Sequence, residues 1–142
     1  MPGYQFKFHM NYISAARGLS NIPALDDLVE KHRKHALMYD FSLGDINVDL
    51  IKYPDFIDST YWLYMVLVAD SGDFISYMKN NNIDCSKVHA RNDSKELFKY
   101  YKRNLPGVDY FYKHQVAIPV GWWLSNQDVN YIIETIRRYK NG

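Results

Sequence analysis

The sequence predicts an α+β domain, with helices packed on a small, largely antiparallel sheet, and three observations point to it. The run Tyr61-Trp62-Leu63-Tyr64-Met65-Val66-Leu67-Val68 is rich in aromatic and branched residues and reads as a central strand. Just before it, Ile46, Val48 and Leu50 alternate with Asn47 and Asp49, the period of a half-buried strand, so the two runs make a hairpin. Near the C-terminus, Val129, Ile132, Ile133 and Ile136 stand at i, i+3, i+4 and i+7 behind Ser125-Asn126-Gln127-Asp128, a capping box with Asp in place of Glu.

The other elements follow in chain order. A first helix runs from about Met10 to Asn21, with Ala15, Ala16 and Gly18 small enough for close packing. A second begins with Asn21 as cap and Pro23 in the first turn, where a missing N–H costs nothing. Its acidic start (Asp26, Asp27, Glu30) and later basic residues (Lys31, Arg33, Lys34) match the helix dipole. Leu25, Leu28, Val29, His32, Ala36 and Tyr39 share one face, and Gly44 ends the segment. After the central strand, Asp70 to Gly72 makes a turn, and Phe74, Ile75 and Met78 mark a short helix closing at Asn80-Asn81-Asn82. Ile83 to Val88 suits another strand, while Ser94 to Tyr101 and Gly107 to Tyr112 look helical. Gln115 to Ile118 is a short strand closed by Pro119, and Arg137, Arg138 and Lys140 sit at the negative end of the last helix.

At 142 residues the chain fits a single domain spanning residues 1–142. Hydrophobic residues at 47% and charged residues at 23% are globular proportions, which excludes wholesale disorder. Seventeen basic side chains nearly cancel sixteen acidic ones, so no global field favours nucleic acid or an anionic membrane. No run approaches the roughly 18 apolar residues of a membrane span, and the first residues lack the basic-then-apolar order of a secretion signal. A single cysteine, Cys85, excludes an internal disulfide and fits a reducing compartment; the expected location is cytoplasmic.

Local chemistry is sparse. His32 and His35 are three apart on one helix, but no HExxH pattern, paired cysteines or carboxylate repeat accompanies them, so no metal site is expected. Cys85 has no Cys-x-x-Cys partner and reads as a buried, inert thiol. Nucleophile elbow, Walker loop and dinucleotide fingerprint are all missing, and no catalytic residue is assigned. Trp122-Trp123 could form a stacking platform, although neighbours in an extended segment face opposite ways, which would put one ring inward and one at an edge. The stretch Val88-His89-Ala90-Arg91-Asn92-Asp93 gathers a cation and several donors on a connection after a strand. It could hold a phosphate or sugar hydroxyls; the plainer alternative is an Arg91–Asp93 surface pair with Asn92 in a turn.

Gly3-Tyr4-Gln5-Phe6-Lys7-Phe8-His9-Met10-Asn11-Tyr12-Ile13-Ser14-Ala15-Ala16-Arg17-Gly18-Leu19 resembles the GY(N/K)Y-x-M-x-x-(I/L)-x-AA-x-GL segment of the DegT/DnrJ/EryC1/StrS aminotransferases. Tyr61 to Tyr64, Ile83 to Asp93 and Gln115 to Ser125 are similar to that family's C-terminal part, in the same order. These are pyridoxal-phosphate enzymes that place amino groups on nucleotide-linked keto sugars. The resemblance implies the small C-terminal domain of a fold-type-I aminotransferase, about the last third, with the large cofactor-lysine domain absent. None of the eleven lysines matches the Schiff-base motif, so the isolated chain is expected to hold no cofactor and to lack transaminase activity.

The resemblance also implies site residues. In full-length relatives the loop before the Ala-Ala helix reaches a partner subunit's cofactor phosphate. Lys7 stands at the usual Asn position there, with His9 two residues on. Gln5 replaces the usual Gly, and Arg17 a usual apolar residue. His89, Arg91 and Asn92 become the sugar-nucleotide contacts. The expected partners are a second copy or a separate chain carrying the N-terminal domain, with a nucleotide sugar as ligand. The competing class is a non-enzymatic binding or interaction module built on the same domain.

Overall fold

The computed structural model describes residues 10–44, 46, 48–54 and 56–139. Lys7 and His9 lie outside them. Helix α1 (Tyr12–Asn21) starts at Asn11, whose side-chain oxygen accepts from the Ser14 N–H at 2.8 Å. A 3₁₀ turn, Ile22–Ala24, carries Pro23 and leads into α2 (Leu25–Leu43), which Gly44 closes. The proposed Asn21 cap makes no side-chain hydrogen bond; proline's fixed φ does the local work at this junction.

The sheet has three strands in sequence order, β1 (Asp49–Leu50), β2 (Tyr64–Leu67) and β3 (Gln115–Ile118), all antiparallel. Central β2 pairs Tyr64 with Ile118 and Leu67 with Gln115 on one side, and Leu67 with Asp49 on the other. Both expected hairpin strands are present but shorter than their apolar patterns. The expected strand over Ile83 to Val88 contracts to one bridge, Ser86 to Ala117. Its alternation is real, since Ile83 and Cys85 are buried while Asp84 and Ser86 are exposed. Pairing stops because the Gln115 side chain occupies both backbone groups of Val88 and Lys87 turns toward the end of a helix.

Helix α3 (Ser71–Asn80) begins where a turn was expected: Asp70 accepts from the N–H groups of Gly72 and Asp73 at 2.9 and 3.0 Å, so that turn is its N-cap. Residues Asn92–Ser94 and Glu96–Tyr101 form 3₁₀ turns, followed by α4 (Pro106–His114), which runs straight into β3. Helix α5 (Asn126–Arg138) carries the capping box read from sequence. Ser125 accepts from the Asp128 N–H at 3.1 Å, and Asp128 accepts from the Ser125 N–H at 2.8 Å.

The core lies between the sheet and α2, α3 and α5. Ala36, Tyr39 and Leu43 of α2 meet Val66 and Val116 of the sheet, Phe74 and Met78 of α3, and Val129, Ile132, Ile133 and Ile136 of α5. Each of those large α5 side chains contributes about 1.5–3 kcal/mol by leaving water. The apolar face predicted for α2 is buried only in its second half. Leu25 is exposed and Leu28, Val29 and His32 are half-buried, because no described element covers them. No side chain of α1 is buried among the described residues.

Candidate functional site

The polar loop after Cys85 is held by two anchors. Gln115, fully buried at the start of β3, donates from Nε2 to the Val88 carbonyl at 2.6 Å and accepts from the Val88 N–H at 3.4 Å. Lys87 donates to the Tyr112 and Lys113 carbonyls at the C-terminal end of α4, at 3.0 and 2.8 Å, where a cation suits the dipole. Neither anchor is visible as a motif, because both partners are more than twenty residues away.

Beyond Val88 the backbone turns sharply. His89 adopts φ +57°, a left-handed conformation that histidine tolerates better than most side chains. Its exposed ring lies 5.9 Å from the Trp62 ring, tilted by 53°. Arg91 is the best-held residue of the loop, its side chain 13% exposed. Nε donates to Asp93 Oδ1 at 2.8 Å and Nη2 to Asp93 Oδ2 at 2.5 Å, a two-pronged pair, while Nη1 bonds Asp109 of α4. The Asp93 hydrogen bond, reinforced by the Asp109 charge, raises the guanidinium pKa. The same hydrogen bond from Arg91 lowers the Asp93 carboxyl. Three of five guanidinium N–H donors are thereby engaged. Asn92 opens the 3₁₀ turn with its side chain exposed, and its carbonyl accepts from the Lys95 N–H at 3.0 Å. The structure thus brings His89 and Asn92 to the surface on either side of a tied Arg91. The Arg91–Asp93 pair read from spacing is formed, and Asp109 is the member that spacing could not reveal.

Next to His89 opens an aromatic cleft of about 440 Å³, with Trp62, Trp122, Trp123 and His32 on its walls. Both rings of the Trp122-Trp123 pair are exposed, by 49% and 64%, which corrects the one-inward, one-outward expectation. The pair lies in a turn closed by the Leu124 N–H on the Gly121 carbonyl, so strand alternation does not apply. His32 donates from Nδ1 to the Tyr61 carbonyl at 2.9 Å and meets the Trp123 ring edge-on at 6.3 Å. His35, also on α2, is buried and donates from Nδ1 to the Val120 carbonyl at 3.3 Å. Both imidazoles are thus committed to backbone, and among the described residues no three His, Cys, Asp or Glu side chains are grouped to hold a metal ion. Cys85 is buried, and desolvation pushes its thiol up to about 11, away from nucleophilic use.

A cofactor-holding lysine is not offered here. Every lysine among the described residues is exposed, so none occupies the water-excluded setting in which an amine captures a carbonyl. No described lysine is therefore placed to hold pyridoxal phosphate as an imine. No helix of the described residues is long and apolar enough to cross a membrane.

The model of the DegT/DnrJ/EryC1/StrS aminotransferase family matches residues 1–137. The sugar aminotransferase CalS13 from Micromonospora echinospora superposes with a TM-score of 0.89 at 34% identity, over 94% of this chain and 37% of CalS13. AtS13 from Actinomadura melliaura gives a TM-score of 0.90 at 31% identity, over 98% of this chain and 38% of its own. The spore coat polysaccharide biosynthesis protein SpsC of Bacillus subtilis is 26% identical over 99% of this chain and 39% of SpsC. The chain spans under two-fifths of the length of these relatives.

Proposed function

We propose, from the premise that this chain belongs to the DegT/DnrJ/EryC1/StrS aminotransferase family, that it serves as the C-terminal domain of a pyridoxal-phosphate-dependent nucleotide-sugar aminotransferase and does not transaminate alone. The observation that carries the proposal is the near-complete superposition of this chain on little more than a third of CalS13 and AtS13. When bound in a complete enzyme, the cofactor acts as an electron sink for amino transfer. This chain's part is to shape the sugar-nucleotide pocket. His89 and Asn92 offer hydrogen bonds to sugar or phosphate oxygens, and Arg91 offers the N–H donors that Asp93 and Asp109 leave over. Lys7 and His9 are assigned to the cofactor phosphate of a partner subunit.

Assembly is part of the proposal. A ten-residue helix is marginal in water on its own, and α1 buries none of its described side chains while exposing Tyr12, Ile13 and Leu19. A second copy, or a chain carrying the cofactor-lysine domain, supplies the missing cover. A cytoplasmic setting is supported by the lone cysteine.

The test is reduction with borohydride after stoichiometric pyridoxal phosphate is added to the chain alone, read by peptide mass. Scattered, substoichiometric lysine labelling is expected. A single lysine labelled to completion would overturn the proposal that this chain holds no cofactor. Light scattering at high micromolar concentration should show a dimer or larger species, and a strict monomer would count against self-association.

A further inference from the structure

We infer that the cavity between the end of α2 and β1 binds a small alkylammonium ion. It measures about 740 Å³, within the roughly 300–1,000 Å³ of small-molecule sites, and its walls include Tyr53, Tyr61, Asp40 and Asp49. The two tyrosine rings stand at 86° with centroids 6.0 Å apart, so they wall a right-angled corner. An aromatic face attracts a cation through its quadrupole, and a carboxylate in the same cavity adds a full opposite charge.

The corner is held from α2. His32 donates from Nδ1 to the Tyr61 carbonyl at 2.9 Å, and Arg33 donates from Nε to the Ser59 carbonyl at 3.0 Å. The Ser59 hydroxyl accepts from the Tyr61 N–H at 3.2 Å. Together these bonds keep Tyr61 at φ +48°, a left-handed conformation uncommon for so bulky a side chain. Its ring then stacks on Tyr64 at 6.1 Å and 25°, and Tyr64 donates its hydroxyl to Asp40 Oδ1 at 2.5 Å. Asp40 is thus anchored through one oxygen. Its Oδ2 and the Asp49 carboxylate take no hydrogen bond among the described residues. Burial, and after it the Asp40 charge, raises the Tyr61 hydroxyl above its ordinary value, so the field of that carboxylate reaches the ring. The last turn of α2 carries no basic residue and Gly44 lines the cavity, which leaves the negative end of the helix dipole open to a cation.

The same lining selects among ligands. Two carboxylates disfavour an anion. They also fall short of the about six to eight oxygens that a calcium ion takes, and no described group of three His, Cys, Asp or Glu could hold a metal. An alkylammonium ion uses both features of the site, ring faces for its polarised C–H groups and carboxylates for its charge. Lys52 is the one basic residue on the described walls, and it pairs with neither carboxylate among the described residues. Its ammonium competes with the ligand for the same field.

The experiment follows the amide signals of residues 49–53 and 61 in the whole chain during titration with choline chloride. Two controls run beside it: sodium chloride at equal concentration, and 3,3-dimethylbutan-1-ol, which has the shape of choline without its charge. Choline is expected to move these signals saturably, and both controls to leave them in place. Tyr53→Leu removes a ring face, and Asp40→Asn removes the charge while keeping an acceptor for Tyr64. Each should weaken binding about two- to fivefold, the range of an exposed cation–π or ion-pair contact. Lys52→Ala should tighten it, a gain that a damaged fold would not give. An equal response to the alcohol would mark an apolar pocket and overturn the inference. An equal response to sodium would mark a general ionic effect and overturn it too. No response to choline, or one unchanged in both Tyr53→Leu and Asp40→Asn, would do the same.

Discussion

Gln115 and Val88 are joined by two hydrogen bonds through a single side chain: the amide nitrogen donates to the Val88 carbonyl and the amide oxygen accepts from the Val88 N–H. A side chain thus stands where a further rung of β-ladder would be, and the chain is free to leave the sheet and form the polar loop. Removing that amide strands two backbone groups. Gln115→Leu is expected to cost about 1–3 kcal/mol, the desolvation cost of an unpaired buried group. Thermal unfolding and the exchange rate of the Val88 amide would show it. A variant of wild-type stability, with Val88 still protected, would remove Gln115 from this role.

Arg91 binds α4 to the loop through Asp109. Trypsin offers a direct probe, because Lys95, Lys99, Lys102 and Arg103 all lie between the two. Asp109→Asn should leave the Arg91–Asp93 pair in place and speed cleavage in this segment several-fold. Equal cleavage rates would show that the 3₁₀ turns hold themselves together. Arg91→Lys should loosen the segment as well, since an ammonium cannot reproduce the two-pronged contact.

Two helix caps make stability depend on acid. Backbone N–H groups of Asp73 and Gly72 hold the Asp70 carboxyl below its usual value of 3.8, and the Ser125 N–H and hydroxyl do so for Asp128. A depressed carboxyl favours the fold above its unfolded value, and that contribution is lost as pH falls through the folded one. The urea midpoint should therefore fall below about pH 4. Asp70→Asn and Asp128→Asn should flatten that fall, and an unchanged slope in the double variant would refute the assignment. At neutral pH, Ser125→Ala should cost about 1 kcal/mol through α5.

Cys85 should be silent in the folded protein. With its thiol pushed up to about 11 from 9.0, chiefly by burial, reaction with a disulfide reagent at pH 8 should be at least about 100-fold slower than in urea. One cysteine makes the readout unambiguous. Rapid labelling of the native protein would mean that the 83–88 segment opens readily.

Residues 125–138 show what local rules can determine. A capping box and an i, i+3, i+4, i+7 stripe act within one or two helical turns, and the structure contains both where the sequence puts them. The central strand, its antiparallel neighbours and the family resemblance were legible for the same reason, each being a pattern in consecutive residues. Tertiary structure decided what depends on distant partners. Tyr39 donates to the Pro119 carbonyl at 2.6 Å across 80 positions, Gln115 reaches back 27 to end a strand early, and Asp109 reaches back 18 to occupy Arg91. The outward turn of Trp122 and Trp123 and the bare half of α2 belong to this second group. Periodicity marks which faces are apolar; only the packed chain shows which of those faces it covers itself and which it leaves for another surface.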